Sequence, residues 1–212
     1  MVRAAILVAI VVGCTCGVSA FAQEVPGCGS LTNAYGPFDF RNYGDRSKYL
    51  PVVESYHFTP EVRMLQKGRS GTLVGDLTYT LRAFPNHPAA LDALGRYVLR
   101  GGKFSPDDDI SSAECYFERA SVWAPDDPAV HVIYANYLFK RRKKDEARTH
   151  YETALKFAPE SAEINYSAGL FFLELGDLER AKQLAKVAYD RDYPLPGLKN
   201  KIEAAERRKP RE

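Results

Sequence analysis

The sequence predicts an all-α chain built from short antiparallel helix pairs stacked in a row. Three observations predict it: the chain resembles itself at a step of 34 residues, each unit closes on a proline, and small residues recur where paired helices would touch.

Each element follows from that register. Ala113, Phe117, Ala120 and Pro125 fall on Ala147, Tyr151, Ala154 and Pro159, and a second step brings Ala181 and Ala188 into line, with Pro194 one residue late. The first halves of the units agree: Ala168-Gly169 and Gly176 precede Ala181 as a helix and a tight turn require, and Tyr134-Ala135 with Leu138 stand in the equivalent places of the middle unit. The earliest unit has Leu91, Leu94, Gly95 and Val98, but Gly95 lies 18 residues before Ala113 whereas Ala135 lies 12 before Ala147, which places six extra residues in its turn around Gly101 to Asp109. A half-unit, Leu77, Leu81, Phe84 and Pro85, comes before it.

Capping chemistry marks the same helix starts. Asp127-Pro128 is an N-cap followed by proline at the first helical position, Ser161 opens the next unit, and Ser111 with Glu114 has the capping-box interval. After Pro194 and Pro196, Leu198 to Arg208 reads as a polar terminal helix that shields the last unit.

These residues resemble the tetratricopeptide repeat (TPR) family, with small residues at helix contacts, aromatics between them and a closing proline. The resemblance covers residues 70–194, three units and a half, and implies a right-handed α-superhelix in which no unit buries its apolar faces without neighbours. It also implies binding of peptide segments on a concave face lined by the first helix of each unit. Counted along those helices, the face takes in Asp92, Arg96 and Leu99, then Val132, Asn136, Phe139 and Lys140, then Tyr166, Leu170 and Leu173. Leu170 and Leu173 are equally compatible with the core. A basic clamp for a peptide carboxylate, found in some members, is not carried over, because the last unit offers Glu163 and Ser167 where that clamp wants cations.

The region before the repeats has another character. Tyr35, Phe38, Phe40, Tyr43, Tyr49, Tyr56 and Phe58 are interspersed with Gly36, Pro37, Gly44 and Pro51, which reads as an extended arm and not a helix. A short helix follows, with Thr59 as cap, Pro60 at its first position and Gly68 after its end. The arm's rings either complete the core on the first repeat or lie in a groove, its own or that of another copy.

The first 22 residues read as a signal peptide: Arg3 at the start, an apolar run from Ala4 to Val12, and Ala20-Phe21-Ala22 before the cleavage point. Val11-Val12-Gly13-Cys14 also resembles a bacterial lipobox, with lipidation at Cys14 as the alternative. The expected organisation is therefore a signal peptide over 1–22, an aromatic arm and short helix over 23–69, the array over 70–194, and a capping helix and tail over 195–212. Loss of the signal leaves Cys28 and Cys115 as a candidate disulfide in a periplasmic or extracellular setting; two free thiols are the alternative.

Composition and motifs narrow the function. The 212 residues are 26% charged and 45% hydrophobic, an ordinary globular balance, and a net charge of +2 gives no field for capturing nucleic acid. The basic run Lys140 to Lys144 reads as a solvated turn and Asp107 to Asp109 as helix capping. His57, His87, His131 and His150 lack metal-ligand spacing, His131 reads as a packing residue, and no nucleophile elbow, zinc-protease or phosphate-loop motif occurs. The expectation is an exported bacterial interaction module, not an enzyme, with no cofactor and no metal. It binds a protein or peptide as an adaptor or assembly factor, and touches membrane only if lipidated at Cys14. The alternative is a structural subunit that self-associates head-to-tail through the arm.

Overall fold

The computed structural model describes residues 24–106 and 108–208. The signal segment, with Cys14 and Cys16, lies outside the described residues, as does Asp107. Among those described, a two-residue antiparallel ribbon, β1 (Glu24–Val25) with β2 (Gly29–Ser30), precedes ten helices: α1 (Tyr43–His57), α2 (Pro60–Arg63), α3 (Leu73–Ala83), α4 (Pro88–Leu99), α5 (Ala113–Trp123), α6 (Pro128–Lys140), α7 (Lys144–Phe157), α8 (Ala162–Glu174), α9 (Leu178–Asp190) and α10 (Gly197–Arg208). They form an all-α superhelix of helix pairs, α4/α5, α6/α7 and α8/α9, each leaning on the next.

The repeated joints have a local cause. After α3, α5 and α7 the chain makes the same turn: Phe84, Ala124 and Ala158 close the helix by donating to Thr80, Ala120 and Ala154, and their own carbonyls accept from His87, Asp127 and Ser161. Those three residues then cap the following helices, each accepting through its side chain from a first-turn N–H. Within pairs, Arg142 and Gly176 sit 34 positions apart in the turns α6–α7 and α8–α9, both left-handed, with φ of 64° and 84°. The α4–α5 connection is long instead, running from Arg100 to Ser112, where the extra residues were expected. Ser112, not Ser111, caps α5, accepting from the Cys115 N–H at 3.2 Å. Asp108 closes a local turn onto the Ser105 N–H and does not cap a helix.

The core runs the length of the row. Ala113, Ala147 and Ala181 are buried at the helix contacts, Phe117 stacks on Tyr134 at 4.7 Å, and Tyr151 meets Phe171 at 4.6 Å. At Gly95 an added Cβ would lie 3.3 Å from Tyr137 and 3.4 Å from Phe117, so the close approach of α4 to its neighbours uses the missing side chain.

One expectation is corrected. Residues 43–57, read as part of an extended arm, form the 15-residue helix α1, capped by the Asn42 side chain on the Asp45 N–H. Pro51 lies inside this helix and removes one of its hydrogen bonds. Packing overrides that cost, because Leu50 and Val53 bury against Ala83 and Phe84, and Tyr49 stacks on Phe38 at 4.0 Å. α1 thereby serves as partner to α3, completing the half-unit. The short helix α2 does form, but ends at Arg63, well before Gly68.

The irregular part of the arm, residues 31–42, packs on its own chain. The Phe38 N–H donates to the Ala83 carbonyl at 2.8 Å. Buried Asn86 ties the arm to two loops, accepting from the Phe40 N–H and donating to Asp39 and Asp127, while Arg41 bridges Asp39 and Asp126. Farther back, Cys28 is bonded to Cys115 of α5, with Cα atoms 5.1 Å apart. Beside it the buried Arg119 guanidinium donates to the Cys28 and Ser30 carbonyls.

Candidate peptide-binding cleft

The first helices of two pairs, α4 and α6, place four residues each along a shared cleft. Asp92, Gly95, Arg96 and Leu99 face Ile133, Asn136, Tyr137 and Lys140, with Phe117 beneath. Both sets follow the i, i+3, i+4, i+7 spacing of one helix face. Leu99 and Ile133 are half-buried and make an apolar floor. The cleft holds about 20 Å³, room for a single water and far below the roughly 300 Å³ of a small-molecule pocket. Such a surface suits a chain laid along it.

Its polar groups are held in place. Arg96 donates from Nε to Asp92 at 2.7 Å and from Nη2 to the Arg63 carbonyl at 3.0 Å, which fixes the guanidinium between α4 and α2. Asn136 Oδ1 accepts from the Tyr151 hydroxyl of α7 at 2.6 Å, leaving the two amide hydrogens as the donors available to a ligand. Lys140 is exposed and takes part in no ion pair among the described residues. The Tyr137 phenol is buried; burial first, and then the neighbouring Glu114 carboxylate, hold it protonated well above its ordinary range.

The structure therefore brings together Asp92, Arg96, Leu99, Asn136 and Lys140 along this cleft, while the other five expected residues are not among its lining. Val132 is buried in the core, and Phe139 turns edge-on to Phe171 at 5.2 Å. Along α6 the cleft is lined by half-buried Ile133 and buried Tyr137 instead, one residue round from the expected positions. Tyr166, Leu170 and Leu173 pack, partly buried, against the cluster of Leu178, Leu198 and Ile202, and the Tyr166 ring also lies tilted against Tyr193 at 4.4 Å. The reason is α10, which docks on α8 and α9 and takes the apolar surface that those residues offer. At Gly169 an added Cβ would come 2.5 Å from Leu198, so this glycine makes room for the docked helix.

Two histidine contacts were invisible at the level of spacing. His131 is buried, as a packing residue should be, yet its Nδ1 lies 3.0 Å from Nδ1 of His150 and its Nε2 2.8 Å from the Pro125 carbonyl. Nε2 therefore carries the hydrogen, and the proton between the rings comes from His150. Burial, with His131 adding to it, pushes His150 down to about 4. His57 bonds through Nδ1 to buried Asp76 at 2.9 Å. Among the described residues no group of three or more His, Cys, Asp or Glu is gathered to hold a metal ion.

Comparison with known proteins bears on the last two pairs of the row. A family model for the tetratricopeptide repeat matches residues 134–195, from the middle of α6 to the turn before α10. No curated protein and no solved structure matches the chain.

Proposed function

We propose that this chain, whose residues 134–195 match a family model of the tetratricopeptide repeat, a repeat that generally mediates protein–protein interaction, is an exported adaptor or assembly factor that binds an extended polypeptide along the α4–α6 cleft. The observation that carries the reading is the set of donors, Arg96 and Asn136 held in place and Lys140 exposed beside them, over the apolar floor of Leu99 and Ile133. Backbone carbonyls of a bound strand would meet the Asn136 amide, and apolar side chains at alternate positions would settle on Leu99 and Ile133. No catalytic chemistry is assigned to the cleft.

The bonded pair Cys28 and Cys115 supports export, since a disulfide persists in oxidising compartments such as the periplasm or the exterior. The arm's rings are engaged with Phe84 and Tyr49 of the same chain, which favours an adaptor over a subunit that lends its arm to a neighbour.

The test is site-directed photo-crosslinking in the compartment where the protein resides. A crosslinker at Ile133 should give a discrete polypeptide adduct that is lost when Asn136→Ala and Lys140→Glu are combined. One at exposed Thr149 on α7 should give none. Equal labelling from both positions, or none from Ile133, would overturn the reading.

A further inference from the structure

The two ends of the row present different chemistry. At the far end α10 buries Leu198 and Ile202 and turns Lys199, Lys201 and Glu206 outward, as a capping helix should. At the near end, the pair α1 and α3 has no such cap among the described residues: Val52 is 45% and Tyr56 56% exposed. Together with Tyr35, His57 and Tyr79 they line a pocket of about 200 Å³. Below the size of a small-molecule site, it is the size for one apolar side chain and its neighbour.

This pocket is preformed. Asp76 accepts from the Ser70 N–H and holds His57, whose ring stacks on Tyr79 at 3.7 Å. Tyr35 stands edge-on to Phe38 and Tyr49. Its walls are aromatic rings with Val52 and Val53 between them, the kind of surface that takes proline and leucine in an extended segment.

A matching segment lies at the opposite end. Between α9 and α10 the turn Pro194-Leu195-Pro196 is exposed, and Leu195, 52% accessible, belongs to none of the apolar clusters of the described residues. The turn is held on both sides: the Tyr189 hydroxyl donates to the Leu195 carbonyl at 2.9 Å and accepts from the Lys199 N–H at 3.1 Å, while the Tyr193 ring lies tilted against Tyr166. A leucine displayed between two prolines on a fixed turn loses little freedom when it binds. Charges agree as well. Asp192 beside the turn and Lys48, poised 4.9 Å over the Tyr49 ring beside the pocket, take part in no ion pair among the described residues.

We propose that the tyrosine pocket of α1 and α3 receives the Pro194-Leu195-Pro196 turn of a second copy, joining chains end to end and leaving the α4–α6 cleft free for its ligand. The contact is heterologous, so it propagates from copy to copy. A single side-chain anchor makes it weak and concentration-dependent.

Analytical ultracentrifugation of the purified protein over a hundredfold concentration range tests this. The average mass should rise past that of a dimer. Leu195→Asp and Tyr56→Asp, both at exposed positions and checked for unchanged helical content, should each remain monomeric. Mixing the two variants should restore association but stop it at the dimer, because each retains one intact end. A wild-type mass independent of concentration would overturn the proposal. So would self-association of Leu195→Asp at wild-type strength, which would mean the near ends meet each other, or failure of the mixture to form dimers.

Discussion

The Tyr151 hydroxyl, buried on α7, donates a 2.6 Å hydrogen bond to Asn136 Oδ1 on α6 and so decides which end of the amide the cleft presents. Tyr151→Phe removes the donor while keeping the ring. The expected outcome is a stability loss of about 1 kcal/mol in denaturant unfolding, with weaker crosslinking from Ile133 because the amide is free to turn over. Unaltered crosslinking at reduced stability would show that amide orientation is irrelevant to binding.

The left-handed position of the pair turns offers a test of the repeat register that touches no packing. Gly176 tolerates φ of 84° and Arg142 occupies φ of 64° one repeat earlier, where a side chain costs about 1 kcal/mol. Arg142→Gly is expected to raise stability by up to about 1 kcal/mol. Gly176→Ala should lower it by a similar amount, since an added Cβ there meets nothing within 4 Å and the effect is conformational alone. Opposite signs in the two unfolding curves are the result to look for.

His150 makes stability depend on pH with a defined sign. Its folded value of about 4 lies below the ordinary 6.5, so between those limits the unfolded chain binds the extra proton. Its effect on stability is nil above about pH 6.5 and becomes a loss as pH falls toward 4, amounting to on the order of 2 kcal/mol once partial exposure is allowed for. In His150→Gln the drop between pH 7 and 4 should shrink by that amount, measured as the difference between the two stability profiles.

The bond between Cys28 and Cys115 closes a loop spanning 87 positions and holds the ribbon of β1 and β2 against α5. Cys28→Ser with Cys115→Ser is expected to lower stability by about 2–4 kcal/mol through loop-closure entropy. Limited proteolysis should then cut residues 24–34 first, while the helices from α3 onward stay protected.

Much of the repeat body was legible because its signals are local. A closing proline, a capping side chain and an alanine at a helix contact act within a few residues, so Ala113, Ala147, Asp127 and Ser161 could be placed from spacing. The helix α1 was not legible for the same reason reversed. Gly44 and Pro51 argue locally against a helix, and the arguments in its favour, the stack of Phe38 on Tyr49 and the burial of Leu50 and Val53 on Phe84, come from residues outside it.

Sequence by itself determined the repeat length, the all-α class and the long α4–α5 connection, since each depends on periodicity along one helix or on a turn. Tertiary structure alone decided the rest. The rotation of α6 about its axis, with Phe139 against Phe171, leaves Ile133 half-buried on the cleft and buries Val132. The docking of α10 withdraws Tyr166, Leu170 and Leu173 into an apolar cluster. A helical wheel ranks faces by hydrophobicity, but which apolar face is covered depends on what packs there, and that is settled only when all the helices are assembled.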